Sequence, residues 1–411
     1  MYNKMNMLSA MIVMLFIMAS AVASQTSDCE HVADVSCGMF ACALLRDDGT
    51  AVAWGGDCFG GDASNVDLTN VAHIDCGRLS CVAIKNDGTA EAWGDDRYGG
   101  DPTCAEAAPG CVPLPTGVVL DNIADASCGH HGCVALKNDG TTVWWGTNPA
   151  IAMPPTLDNI AAIKYSTGST VAALTNDGTV VVWGSSCCGG DAGDADVTNV
   201  ADVSCGGYAC AARKNDDTVV VWGHDSYGAD PGDIVLDNVA DVSCGDSACV
   251  ILKKDATAYA WGSAAKGGTV PAEADLTNVA RVSCGEKECF AIKLDGTAEV
   301  WGFPGTGFYG DNHLTNVADI ALGSYSGLVR YNNGTTFTWG HSDYGGDSSS
   351  VAPLEWDTHS SDCLPPPAPP GCDDPMQHIG RGNTCLPPPP GPPPQSYVVS
   401  GFDTLPPTVE Q

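Results

Sequence analysis

Along most of this chain apolar and polar residues alternate, and the alternation recurs as one repeated unit. In the copy from Asn199 to Gly223, the segment Val200-Ala201-Asp202-Val203-Ser204-Cys205 alternates as a half-buried strand should. A turn of about four residues follows, and a second short apolar run begins at Cys210. An Asn-Asp-Gly-Thr step, as at 86–89, then marks a hairpin whose glycine supplies positive φ. The third run ends on Trp-Gly, and Thr179-Val180-Val181-Val182-Trp183 is its clearest strand, all β-branched or aromatic. Each unit thus predicts three short antiparallel strands, with Val66-Asp67-Leu68 and its equivalents adding a fourth in some copies. No amphipathic helix is predicted within the repeat.

The Trp-Gly step occurs at Trp54, Trp93, Trp145, Trp183, Trp222, Trp261, Trp301 and Trp339. A period near 40 residues with strand content means a propeller or solenoid. Aligned on tryptophan, the copies need no gap back to their Cys-Gly step (or its counterpart), and length varies only after Trp-Gly. That contrast separates a rigid scaffold half from a variable loop half, and function is expected in the loop half. A small sheet cannot bury both faces alone, but sheets packed face to face around an axis form a β-propeller. The expectation is an all-β propeller of eight blades, each of three to four strands, over residues 24–355. Seven blades plus a partial unit is the alternative. The pattern Val-x-Val-x-Cys-Gly, Ala-Leu-x-x-Asp-Gly and Trp-Gly resembles the regulator of chromosome condensation repeat, over all eight units. The short unit is more similar to the compact blades of the secreted β-lactamase-inhibitor propellers of that superfamily. Two departures stand out. Aromatic-Gly-Gly-Asp replaces the family's usual Gly-Gln-Leu-Gly, and a second cysteine replaces its His-Ser/Thr.

Six units carry Cys-Gly-x-x-x-Cys: Cys37/Cys42, Cys76/Cys81, Cys128/Cys133, Cys205/Cys210, Cys244/Cys249 and Cys284/Cys289. The fourth unit has Ser166 and Val171 there, and the eighth has Leu322 and Gly327. Loss of both members together is what six disulfides predict, each across the turn of its own unit; pairs of small buried thiols are the alternative. Cys104 and Cys111 fall in the one long insert and are expected to staple it. Cys29 with Cys363, and Cys372 with Cys385, are further expected pairs, leaving Cys58, Cys187 and Cys188 in post-Trp loops. The total of 21 cysteines is odd, so one thiol stays free or pairs between molecules.

Cysteine usage on this scale suits an oxidising compartment, and the first residues agree. Lys4, the apolar run Leu8 to Met18 and Ala21-Val22-Ala23 read as a signal peptide over 1–23, with a membrane anchor as the alternative. The protein is therefore expected to be secreted, with no membrane insertion after cleavage. Its 50 acidic against 17 basic residues give a formal charge of −33, which disfavours nucleic acid and anionic membranes as partners. Residues 356–411 read as a proline-rich spacer or disordered tail: 15 of the 26 prolines follow Cys363.

Candidate chemistry is thin. Gly305-Thr306-Gly307-Phe308-Tyr309-Gly310 matches a dinucleotide fingerprint without the strand and helix that give it meaning. His130, His131 and His224 have no carboxylate or cysteine partners at ligand spacing and read as surface residues. Neither a nucleophile elbow nor a zinc motif occurs, so no enzyme activity, cofactor or metal is expected. The aromatic-Gly-Gly-Asp loops are the candidate binding surface. Phe59, Tyr98, Tyr227, Tyr309 and Tyr344 are expected beside Asp62, Asp101, Asp191, Asp230, Asp311 and Asp347 on one edge of successive blades. Such loops suit an extracellular protein or glycan; clustered carboxylates would also suit calcium; and local loop stabilisation is the plain reading. Asn333-Gly334-Thr335 is an N-glycosylation sequon. The expected protein is a monomeric, non-enzymatic binding scaffold. Inhibition of another enzyme is the first alternative. Guanine-nucleotide exchange, implied by the resemblance, is disfavoured by export and acidity.

Overall fold

The computed structural model describes residues 32–103, 114, 119–147, 157–166, 168–302 and 313–349. They form eight antiparallel sheets, seven of three consecutive strands and one of four. Blade one is Val32–Cys37, Ala41–Arg46 and Ala51–Gly55; blade eight is Val317–Leu322, Ser326–Tyr331 and Thr336–Gly340. The register is the same in each cysteine-bearing blade: Cys37 lies opposite Cys42, and Cys42 opposite Trp54. A full fourth strand appears among the described residues only in blade seven, where His313–Leu314 pairs with Ala298 and Glu299. Elsewhere the anticipated fourth strand shrinks to single bonds such as Ala51 N–H to the Leu68 carbonyl at 2.9 Å.

Every first strand opens with a register shift, between Val32 and Asp34 in blade one. Strict alternation would put Val32 and Val35 on opposite faces, because the side-chain period is two. The bulge adds one residue and returns both valines to the same core; they are 3% and 5% exposed. The core is divided into eight clusters, one between each pair of neighbouring blades. Between blades five and six, Ala211 and Val219 pack on Val239, Val242, Ile251 and Trp261. The last cluster closes the ring, with Ala321 and Leu328 of blade eight against Val32, Val35 and Leu44 of blade one. The Trp54 indole N–H donates to the Gly345 carbonyl across the same seam at 3.0 Å. The molecule is a closed eight-bladed β-propeller, which removes the seven-bladed alternative.

First strands are innermost and linked around the axis. The Ser36 hydroxyl accepts from the Cys76 N–H at 3.0 Å, and Ser204 from the Cys244 N–H at 2.9 Å. The serine of Val-Ser-Cys is therefore an interblade cap, and Asp75 does the same for the Cys128 N–H at 2.9 Å.

All six Cys-Gly-x-x-x-Cys pairs are disulfides: Cys37–Cys42, Cys76–Cys81, Cys128–Cys133, Cys205–Cys210, Cys244–Cys249 and Cys284–Cys289. Their Cα–Cα distances are 4.0–4.1 Å. The sulfurs are buried beside the tryptophans: Cys81 lies opposite Trp93, Cys133 opposite Trp145 and Cys249 opposite Trp261. Cys58, Cys187 and Cys188 are free thiols, the first two exposed. Cys187 and Cys188 hold their sulfurs 2.8 Å apart. The Cys188 hydrogen bond lowers the Cys187 thiol, while burial pushes Cys188 up to about 11. Alkylation without reductant should therefore label Cys58 and Cys187 and leave the six pairs untouched; peptide mass mapping that finds any of those twelve labelled would contradict the bridges. The expected Cys104–Cys111 staple, and Cys29, Cys363, Cys372 and Cys385, lie outside the described residues.

Candidate binding face

Where first strands end, third strands end too, so two sets of loops share one end of the ring. The outer set follows Trp-Gly. In blades one, two, four, five, six and eight it makes a single 3₁₀ turn, such as Asp57–Phe59 or Ser342–Tyr344, and stops at a glycine of positive φ. These glycines (Gly60, Gly99, Gly189, Gly228, Gly267 and Gly345) have φ between +93° and +120°. Each offers its carbonyl to the indole N–H of the next blade, at 2.8–3.0 Å. A Cβ on any of them would lie 2.6–2.9 Å from a disulfide sulfur of that same blade. Loop glycine, tryptophan and disulfide are thus one joint between blades.

Each second cysteine has a further role beyond its own unit. Cys81 walls the site of a Cβ on Gly60 at 2.9 Å, Cys133 that on Gly99 at 2.9 Å, and Cys249 that on Gly228 at 2.9 Å. The Cys133 sulfur also lies 3.4 Å from the Ser80 hydroxyl of the preceding blade, and the Cys249 sulfur 3.8 Å from the Gly228 carbonyl. The bridge closes one hairpin, but its second sulfur faces the neighbouring blade.

The joint explains the pattern of cysteine loss. Blades four and eight lack the disulfide, and they follow the two loops that depart from the pattern, Thr147-Asn148-Pro149 and Phe303-Pro304-Gly305. In blade four the Trp183 indole nitrogen is buried without an acceptor. In blade eight a Cβ at Gly327 would meet the Trp339 ring at 2.1 Å, so the ring takes the vacated space. The expected division into scaffold half and loop half changes on this point: the post-Trp loop begins as scaffold.

The predicted aspartates do not gather. Asp62, Asp101, Asp191, Asp230 and Asp347 each accept the backbone N–H two residues on, at 2.7–2.9 Å. These Asx turns, with exposed side chains apart from the half-buried Asp101, are the plain local chemistry of such loops. Hydrogen bonds from Ser64 and Ser349 hold Asp62 and Asp347 below the ordinary carboxylate range. Among the described residues no three metal-type side chains converge. Tyr309 and Asp311 lie outside the described residues, as does the Gly305–Gly310 motif. Asn333 is exposed at the opposite end of the ring, its Oδ1 accepting the Thr335 N–H and hydroxyl.

The predicted aromatics do gather, with partners that the sequence reading missed. Phe59 packs on Phe40 with centroids 4.9 Å apart, and Tyr227 on Tyr208 at 4.9 Å. Tyr98 stacks on His131 at 6.2 Å. Tyr344 meets Phe40 at 4.9 Å and Tyr325 at 5.6 Å. Phe40, His131, Tyr208 and Tyr325 share one position, three residues after the first cysteine or its counterpart; four aromatic rings at an otherwise variable position was the available signal. All eight rings are half-buried. The Lys287 ammonium sits over Tyr325, 4.3 Å from its centroid.

The residues one step earlier in these turns close the axis. Met39, Asp246, Glu286 and Ser324 are at most 2% exposed. Successive turns are joined by backbone bonds, Met39 N–H to the Gly77 carbonyl and Asp246 N–H to the Gly285 carbonyl among them. Gly207 must lack a side chain, because its Cβ would stand 1.8 Å from the Asp246 carboxylate. Lys266 and the Ser247 hydroxyl donate to that carboxylate at 3.2 and 2.9 Å. On the other side Arg78 donates to His130 Nε2 at 2.6 Å, and His130 Nδ1 faces Ser169 Oγ at 3.3 Å. Burial, then the His131 and Arg78 charges, push the His130 imidazole down to about 2, so it is neutral. His130 and His131 are therefore half-buried mouth residues and not the surface residues anticipated; His224 is exposed, as expected. Neither oxygen of Glu286 makes a well-formed hydrogen bond, and burial pushes its carboxyl up to about 7 against the pull of Ser324 and Lys287. Trp144 packs half-buried against the core between blades three and four.

No protein-family model matches the chain, and no curated protein matches it. Solved structures do. The chain is similar to the yeast RCC1 protein Prp20, crystallised bound to Kap60, at 14% identity and a TM-score of 0.43, covering 71% of this chain and 78% of that one. It is similar to human WBSCR16 at 16% identity and a TM-score of 0.44, covering 72% and 85%. The ectodomain of the Arabidopsis thaliana receptor kinase ACR4 is similar at 13% identity and a TM-score of 0.46, covering 76% and 98%.

Proposed function

We propose that this protein is a secreted, non-enzymatic binding module that engages an extracellular protein through the loop face just described. The observation that carries the reading is the set of paired, half-exposed aromatic rings, densest where Phe40, Phe59, Tyr325 and Tyr344 meet across the closing seam. Rigid aromatics with few rotatable bonds supply contact area at small entropic cost, and they dominate interface hot spots. The frame beneath them is held by interblade joints, so the face is pre-organised. Six disulfides fit an oxidising compartment, and the acidic surface disfavours nucleic acid.

The test compares the wild type with a Phe40→Ala/Tyr325→Ala variant, disulfides intact by mass, as baits for the extracellular fraction. Loss of two hot-spot rings at about 2 kcal/mol or more is at least a thirtyfold loss of affinity. Retention of every wild-type partner by the double variant would sink the reading.

A further inference from the structure

The seam cluster also lies next to the point where the described chain ends. Tyr344 belongs to the cluster, and Ser349, the last described residue, is five positions later; Ser348 still touches Thr338 of the last strand through their hydroxyls at 3.4 Å. The sequence then continues for 62 residues and carries Leu364-Pro365-Pro366-Pro367-Ala368-Pro369-Pro370 from position 364. We propose that this proline-rich segment docks in cis on the seam cluster, as a polyproline II strand laid over Phe59, Phe40, Tyr344 and His341. The proposal rests on the binding-face reading and names the segment that occupies the face.

The fit is one of spacing and reach. Polyproline II places every third residue on one face, about 9 Å apart. Pro366 and Pro369 form one such pair, Pro367 and Pro370 another. The rings succeed one another at 4.9, 4.9 and 4.5 Å, so alternate rings of the row lie at most about 10 Å apart, the reach of two prolines one turn apart. Tyr325 lies nearly parallel to Phe40, 5.8 Å away at 17°, and widens the platform. Aromatic-lined surfaces recognise such segments because the strand is already extended and loses little entropy on docking. The fifteen residues between Ser349 and Pro365 span up to about 50 Å, far more than the return to Tyr344 needs. A tether of this length gives a local concentration of about a millimolar, enough to fill a weak site.

The experiment is tyrosine nitration of the full chain, read by peptide mass spectrometry, against a variant with Pro366, Pro367, Pro369 and Pro370 all changed to serine. These positions follow the last repeat in the sequence, so the variant changes no residue of the eight blades. Tyr325 and Tyr344 should react at least about fivefold faster in the variant, while Tyr259, 44% exposed on blade six, keeps its rate. The peptide of residues 364–371 at millimolar concentration should restore protection in the serine variant, but not when Phe40→Ala is added. Equal rates in wild type and serine variant overturn the proposal, as does protection that rises with protein concentration, which would mean a second copy on the face. If rates are equal and the Phe40→Ala/Tyr325→Ala bait still loses its partner, tail docking falls and the binding-face reading stands.

Discussion

Gly267→Ala is expected to destabilise the propeller by about 3–8 kcal/mol. Three costs combine there. A φ of +97° strains any residue with a Cβ, by about 1–2 kcal/mol. The new methyl would stand 2.6 Å from the Cys289 sulfur, which the bridge to Cys284 prevents from moving aside, and overpacking of that kind costs about 1–3 kcal/mol. Any shift of the loop also lengthens the bond from the Trp301 indole to the Gly267 carbonyl, leaving a buried donor short at about 1–3 kcal/mol. Gly232→Ala supplies the control, since Gly232 has a φ of +59° with nothing within 4 Å of a Cβ, and so carries strain alone. Urea unfolding of both variants separates the contact from the strain. Adding Cys284→Ala and Cys289→Ala to Gly267→Ala should cost less than the sum of the separate losses, because the sulfur that the methyl strikes is gone. A Gly267→Ala loss no larger than that of Gly232→Ala, or full additivity in the cycle, would refute the joint.

That joint marks how far the sequence could be read. The period, the alternation and the Asp-Gly turns announce strands and hairpins because each is local. The six disulfides were legible because Ser166/Val171 and Leu322/Gly327 lose both partners together. The second task of Cys81, Cys133 and Cys249, against the neighbouring blade, was not, because it depends on packing between units. The bulge at Val32–Asp34 was hidden too, because the valine spacing fits alternation only after one residue is looped out. The role of Gly60 and its equivalents was hidden for another reason. A glycine that makes room for a neighbouring blade leaves no side chain to suggest the contact, so Tyr-Gly-Gly-Asp reads as a loop decorated with aspartate. Those aspartates are turn chemistry, and the rings beside them became a face only when the fold brought Phe40, His131, Tyr208 and Tyr325 beneath them. The polar plug needed the ring itself, since Arg78 of blade two feels Glu286 of blade seven and Asp246 of blade six only across a closed axis.

Between pH 5 and pH 8 the protein is expected to lose stability, and buried acids on its axis are the cause. Burial, then the neighbouring Asp241 charge, push Asp202 up to about 7 against Arg213 and Lys164. Burial pushes Asp241 to about 6 and Glu286 to about 7. One oxygen of Asp202 has no hydrogen-bond partner, so the Val203 N–H and the Arg213 and Lys164 charges offset its burial only in part. A carboxyl whose folded value lies above its unfolded value near 4 binds more protons folded than unfolded. Its stabilising share is complete below pH 4 and is lost as pH rises through 6 and 7. Shifts of two to three units set an upper limit of about 3–4 kcal/mol for each group, and water entering the axis reduces that to about 1–2. The hairpin-turn carboxyls of Asp48, Asp87 and Asp139 work the other way: hydrogen bonds from Thr50, Thr89 and Thr141 hold them low, so their contribution is lost only as pH falls below 4. Ordinary carboxylates are already ionised at pH 5.5, so self-repulsion of the acidic chain changes little across the window. Calorimetric melting at constant ionic strength should show Tm falling by several degrees from pH 5 to pH 8. Asp202→Asn keeps the acceptor for the Val203 N–H and removes the titration; Glu286→Gln removes the second. Each should flatten the profile by raising Tm at pH 8 more than at pH 5. Slopes unchanged in both variants would mean that these carboxyls titrate as they do in water, and that the axis is wet.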